Sequence, residues 1–177
     1  MTRPGDDAAD LRFCDDQVVE TPHLAQLNVA RLLAPVDHPA TSAFVAALDH
    51  VNGLADAAPG FLWRLQTDDG DATSIRVGDD DLFIVNMSVW TSIDALWAYV
   101  YGGGHLEVMR RRREWFEAPV EAHMVLWWRH SEQAPTVPEA LDHLARLRDD
   151  GPGPGAFTFR QAFGLDGRPT APATPRQ

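Results

Sequence analysis

The chain contains no lysine: all 15 of its basic residues are arginine. This removes the amine needed for a Schiff base to a carbonyl or to pyridoxal phosphate. It also removes the lysine that a phosphate-binding loop places on its nucleotide. Cysteine is nearly absent as well. The single Cys14 excludes an internal disulfide and any cysteine-built zinc or iron–sulfur site. No apolar run approaches the roughly 20 residues of a membrane-spanning helix, so no membrane partner is expected. The opening "MTRPGDDAADLRFCDD" has no apolar segment to serve as a secretory signal. Cytoplasmic localisation is the natural reading.

Positive charge is scarce. Against 26 acidic residues the 15 arginines leave a net charge of −11 and a pI near 4.9. Such a field repels phosphate backbones, so nucleic acid is not an expected partner. The acidic stretches "TDDGDAT" and "GDDD" lack EF-hand spacing and read as solvated turns, and no bound metal is expected.

What is present suffices for one domain. The 177 residues are 45% hydrophobic, enough for a sizeable core. Residues 1–20 read as a disordered N-terminal arm, 21–163 as the folded domain, and 164–177 as a disordered Pro-rich tail. "HLAQLNVAR", "GFLWRLQT", "LFIVNMSVW" and "AHMVLWWRH" alternate as strands. "PATSAFVAALDHVNGLAD" has helical spacing after a cap at Thr41 or Ser42. "TSIDALWAYVY" starts a second helix capped by Thr91 or Ser92. Gly102–Gly104 interrupt it, and "HLEVMRRRREWFE" resumes it. "TVPEALDHLARLRDDG" is another helix, with Pro138 in its first turn and Gly151 past its end. "AFTFRQAF" reads as a possible edge strand. The order β-α-β-β-α-β, then α, predicts an α+β fold: a ferredoxin-like split βαβ unit, an antiparallel sheet with helices on one face.

Strand alternation divides the side chains into two faces. Ala25, Leu27 and Val29 oppose Gln26 and Asn28; Val85, Met87 and Val89 oppose Asn86, Ser88 and Trp90. In the second strand Phe61, Trp63 and Leu65 oppose Arg64. In the fourth, Met124, Leu126 and Trp128 oppose His123 and Trp127. A face mixing amides, hydroxyls and aromatics either meets solvent or lines a chamber for a small organic ligand. The expected closure is a second subunit packing sheet to sheet, a homodimer.

Four consecutive arginines, Arg110–Arg113, are unusual in an acidic chain. On a continuous helix Glu107–Arg111, Arg110–Glu114 and Arg113–Glu117 form i,i+4 pairs, a solvated face. Arg112 falls instead on the apolar arc with His105. A buried arginine needs a carboxylate such as Asp94 or Glu121, backbone carbonyls, or a polar group of a ligand.

The stretches "HLAQLNVARLLAP", "FLWRLQTDDGDATSIR", "NMSVWTSIDALWAYVY" and "HLEVMRRRREWFE…HMVLWW" resemble a bacterial domain family of unknown function, number 3291, in the dimeric α/β-barrel superfamily. The resemblance covers about residues 22–163 and implies a ferredoxin-like homodimer. It also implies kinship with antibiotic-biosynthesis monooxygenases, polyketide cyclases and haem-handling enzymes. The run "GGG" before the histidine departs from what the resemblance leads one to expect.

The resulting expectation is a cofactor-independent, monooxygenase-like or cyclase-like tailoring enzyme of secondary metabolism. His105 is general acid or base, and Arg112 steadies an enolate or oxyanion. Asn28, Arg64, Asn86, Ser88, Trp90, His123 and Trp127 hold the substrate. Two alternatives stand beside it: a haem protein with His105 or His123 as axial ligand, and a non-catalytic small-molecule-binding protein.

Overall fold

The computed structural model describes residues 21–170. The expected N-terminal arm lies outside them. Four strands are present: β1 (His23–Arg31), β2 (Phe61–Arg64), β3 (Phe83–Trp90) and β4 (Met124–Arg129). They form one antiparallel sheet in the order β2-β3-β1-β4. With α1 (Ser42–Asp56) between β1 and β2, and α2 (Ile93–Tyr101) between β3 and β4, this is the ferredoxin-like arrangement. A short helix α3 (Gly103–Arg110) follows α2, and α4 (Val137–Asp150) follows β4.

Local signals set these boundaries. Ser92 caps α2 by accepting the amide of Ala95. Thr136 and Glu139 close a capping box at the start of α4, and Gly151, with φ 76°, ends it. Thr41 precedes α1 but does not cap it; its hydroxyl turns to the carbonyls of Pro35, Val36 and His38.

The two faces of the sheet are buried differently. Ala25, Leu27, Val29, Val85, Met87, Val89, Val125 and Trp127 form one core with Ala140, Leu144 and Leu147 of α4. Ile75 and Val77, from the loop before β3, pack onto the same face. Full burial of a valine, leucine or methionine in this core contributes roughly 1.5–3 kcal/mol. The opposite face carries Leu24, Trp90 and Leu126 at one end. There Leu96 of α2 and Phe157 and Phe159 of the C-terminal segment close a second core. Farther along that face, Gln26, Asn28, Asn86 and Ser88 lie beneath α1 and α3, and a cavity takes the place of a core.

This arrangement corrects several expectations. The chamber lies within one chain: the helices of the split βαβ unit cover the mixed face, while α4 and the 66–82 loop cover the apolar one. The chamber is therefore closed by helices of the same chain and does not require a second sheet. In β2 the register shifts between Phe61 and Trp63. Such an irregularity sends flanking side chains to opposite faces. Phe61 therefore packs edge-on against Trp90 at 5.3 Å, whereas Trp63 and Leu65 join the α4-side core. "AFTFRQAF" forms no strand. A single bridge joins Phe157 to Leu126 through two backbone hydrogen bonds of 2.8 and 2.9 Å. Hydrogen-bonded structure also runs past residue 163. Gly164 N–H donates to the Arg168 carbonyl and Thr170 N–H to the Ala162 carbonyl, both at 2.8 Å.

Candidate functional site

The cavity, of about 210 Å³, is floored by the sheet and roofed by α1, α2 and α3. Strand register builds its floor. Arg64, Ser88 and Gln26 stand side by side in one row across β2, β3 and β1; Asn86, Asn28 and Met124 form the next row across β3, β1 and β4. Within the first row the Trp90 indole N–H donates to Ser88 Oγ at 2.8 Å, and the Ser88 hydroxyl donates to Gln26 Oε1 at 2.9 Å. In the second row Asn28 Oδ1 is buried and has no hydrogen-bond partner among the described residues. Phe44, Leu48, Val51 and Met109 supply apolar walls.

His105 stands in the first turn of α3, just beyond the glycine break, and lines the cavity. Its Nδ1 lies 2.9 Å from the Val100 carbonyl oxygen. A carbonyl only accepts, so Nδ1 carries the proton and Nε2 keeps its lone pair. Desolvation by burial lowers the imidazole pKa below its ordinary value, and the Val100 bond opposes that in part. The ring lies 4.6 Å from that of Tyr99, which in turn stacks on Trp90 at 5.1 Å. The Tyr99 hydroxyl donates to the Val51 carbonyl at 3.3 Å, and burial pushes its pKa well above the usual phenol range.

The four arginines separate as expected, although the helix does not continue through them. α3 ends at Arg110 and a 3-10 turn spans Arg112–Glu114. Its tighter winding places i and i+3 together. Arg111 therefore pairs with Glu114 at 2.8 Å and lies 4.9 Å over the Trp115 ring. The expected i,i+4 pairs are replaced: Glu114 takes Arg111, and Glu117 takes Arg31 at 3.4 Å. Arg110 and Arg113 are exposed. Arg112 turns inward and lines the cavity. None of the ion pairs among the described residues includes it; Glu121, weighed as its partner, pairs with Arg148. Its neighbour is His123, whose Nε2 lies 3.5 Å from Nη1. Desolvation first, then the Arg112 charge, lower the His123 pKa, so the ring meets the guanidinium in its neutral form. That nitrogen is the one an axial haem ligand would offer, and it faces a cation.

Asn28, Asn86, Ser88, Trp90, His105 and Arg112 are thus brought to one cavity. Arg64 lines it too, but its fork is committed to both oxygens of Asp56, at 2.8 and 3.1 Å, and to the Gly70 carbonyl at 2.6 Å. His123 touches Arg112 but is not among the lining residues, and Trp127 does not belong. Trp127 lies on the other face, in the α4-side core, stacked on His143 at 4.6 Å. The reason is register: Trp127 pairs with Ala25, and Met124 with Asn28. Tyr99 and Gln26 escaped selection. Alternation had already placed Gln26 beside Asn28, but nothing in the sequence marked Tyr99. No cluster of three or more metal-ligating side chains occurs among the described residues, and no described helix is long and apolar enough to cross a membrane.

Fold and site together define an α+β, ferredoxin-like domain with a ligand-sized cavity between sheet and helices. The chain belongs to a family described as a domain of unknown function (DUF3291), whose pattern matches residues 23–173. No curated protein matches it. Among solved structures it resembles SnoaB from Streptomyces nogalater, a cofactor-independent oxygenase. The identity is 19% and the TM-score 0.43, over 66% of this chain and 98% of that one. It likewise resembles PA3566 from Pseudomonas aeruginosa, at 14% identity and a TM-score of 0.44 over 65% of this chain and 98% of that one. Rv0793 from Mycobacterium tuberculosis gives 16% and 0.41, over 64% and 99%. At such distances a shared outline carries no inference about chemistry.

Proposed function

We propose that this protein is a small-molecule enzyme that works inside the cavity without a bound cofactor, in the manner of an oxygenase or a cyclase. One observation carries the reading: a neutral histidine whose Nε2 keeps its lone pair, and an arginine that forms no ion pair among the described residues, line the same largely apolar cavity. His105 Nε2 takes a proton from an activated carbon or hydroxyl of the substrate. Its lowered pKa keeps it unprotonated near neutral pH, as a base must be. Arg112 steadies negative charge developing on a substrate oxygen, in a site where low dielectric strengthens the interaction. Ser88, Asn28 and Asn86 orient the substrate against the sheet. The resulting enolate then meets either dioxygen or an internal carbonyl.

The test is oxygen uptake and product mass spectrometry on a panel of enolisable hydroxyaromatics, with chelator-treated protein. Wild type should turn over at least one member above buffer, and His105→Gln should lose about 10²–10⁴ of that rate. Binding without turnover across the panel would replace the enzyme with a binding protein. Equal rates for wild type and His105→Gln would remove the base.

A further inference from the structure

Two polar groups on the cavity wall carry the argument: Arg112 and the buried Asn28 amide oxygen. The contrast between the wall's two arginines is direct. Arg64 is held bidentate by Asp56 and neutralised. Among the described residues Arg112 has the neutral Nε2 of His123, at 3.5 Å, and no ion pair with a carboxylate. Folding a half-buried guanidinium next to Phe116, Met109 and Met124 without an anion costs stability unless something else supplies one. His123 occupies one N–H of the fork and is itself bonded to the backbone of Glu121, so it fixes the direction of the guanidinium. Asn28 Oδ1 is the second such group: a buried acceptor without a donor. On the same floor the Trp90–Ser88–Gln26 series is closed by its own hydrogen bonds, whereas the Asn28 amide oxygen opens toward the cavity, where a ligand can close it.

We infer that the cavity takes a hydroxylated organic acid: its carboxylate sits on Arg112, its hydroxyl donates to Asn28 Oδ1, and its apolar body lies against Phe44, Leu48 and Met109. His123 is a positioning residue for Arg112. The inference rests on the reading that this cavity holds the ligand, and not on turnover there.

The experiment is calorimetric titration of the full chain with the three hydroxybenzoate isomers, each beside its hydroxybenzyl alcohol, and with benzoate. At least one hydroxybenzoate should bind about tenfold or more tighter than its alcohol, the scale of one charge-assisted contact. Arg112→Gln should bring that ratio close to one while leaving the alcohol's affinity in place, and Arg110→Gln should change nothing. His123→Phe should lower the same ratio and His123→Gln, which keeps an acceptor, should restore part of it; a merely structural role would weaken acid and alcohol alike. Asn28→Leu should shrink the preference for hydroxybenzoate over benzoate. Melts accompany each variant. Should Arg112→Gln not fold, Arg112→Lys carries the test, and the ratio must fall several-fold because lysine lacks the fork. Equal binding of acid and alcohol by wild type overturns the anion seat and leaves the cavity reading standing. No binding of any member at millimolar concentration overturns both. A ratio that survives at Arg112→Gln puts the acid elsewhere and overturns the assignment.

Discussion

Alanine at three consecutive glycines should have three different outcomes, because Gly102, Gly103 and Gly104 are glycine for different reasons. Gly102 ends α2 with φ −92° and ψ 139°, a conformation open to any residue. Its obstacle is contact: a Cβ there would lie 2.3 Å from the Ala98 carbonyl oxygen. That oxygen belongs to the backbone of α2, so the last turn of the helix or the break itself must move. Overpacking of this kind costs about 1–3 kcal/mol, and a backbone obstacle belongs at the upper end. Gly103 meets nothing within 4 Å but sits at φ +44°. Alanine there pays only for the left-handed conformation, about 1–2 kcal/mol. Gly104 lies inside the first turn of α3, where alanine gains about 1 kcal/mol of helix propensity. Its Cβ would approach Leu54 Cδ1 at 2.9 Å and His50 Nε2 at 3.1 Å, both tips of flexible side chains that can rotate away. Gain and crowding nearly cancel.

For a domain of this size about 1 kcal/mol moves Tm by roughly 2–4 °C. Thermal and urea melts should therefore rank Gly102→Ala as the most damaging, with a fall near 10 °C, then Gly103→Ala, with Gly104→Ala close to wild type. Three equal losses would mean that the run is a loose linker whose geometry matters little. A Gly102→Ala variant no worse than Gly104→Ala would refute the contact argument outright.

The split between what the sequence showed and what it hid follows the range of the forces involved. Alternation and capping are local, so the order of elements along the chain, a cap at Thr91 or Ser92 (it is Ser92) and Pro138 in the first turn of α4 could be read directly. The reading of Arg112 as inward was drawn from helical phase with His105, and Arg112 does line the cavity although α3 ends two residues before it. Where winding changed to 3-10 after Arg110, i,i+4 pairing failed, because spacing alone does not say where a helix ends. Face assignment is local within a strand and non-local between strands. Nothing in "HMVLWWRH" says whether Met124 or Trp127 stands beside Asn28; β1–β4 register decides it, and that register is fixed by contacts about a hundred residues apart. The same holds for enclosure. Alternation identified a mixed face that needed cover, but which element covers it depends on where α1, α3 and α4 cross the sheet.

Two further outcomes follow. Burial holds the His105 and His123 pKa values below 6.5, so between those lowered values and 6.5 the unfolded chain binds more protons than the folded one. Stability should thus fall as pH drops through 6.5 toward those lowered values, and the double variant His105→Gln/His123→Gln should show a shallower fall in Tm; an unchanged pH profile would show that neither ring resists protonation. The buried series Trp90–Ser88–Gln26 gives the second outcome. Ser88 is both acceptor and donor in it, so Ser88→Ala strands the Trp90 N–H and Gln26 Oε1 together. Each orphaned group costs about 1–3 kcal/mol, so the two together make a loss of about 2–6 kcal/mol expected from a change of one atom. Gln26→Leu removes the far acceptor and frees the Ser88 hydroxyl to turn elsewhere, so it should cost less. In Ser88→Ala/Gln26→Leu one of the two stranded groups no longer exists, and the double variant should be more stable than the sum of the single losses by about 1 kcal/mol or more. Strict additivity in urea melts would mean that solvent in the cavity already satisfies these groups, and that the series orders the floor without holding it together.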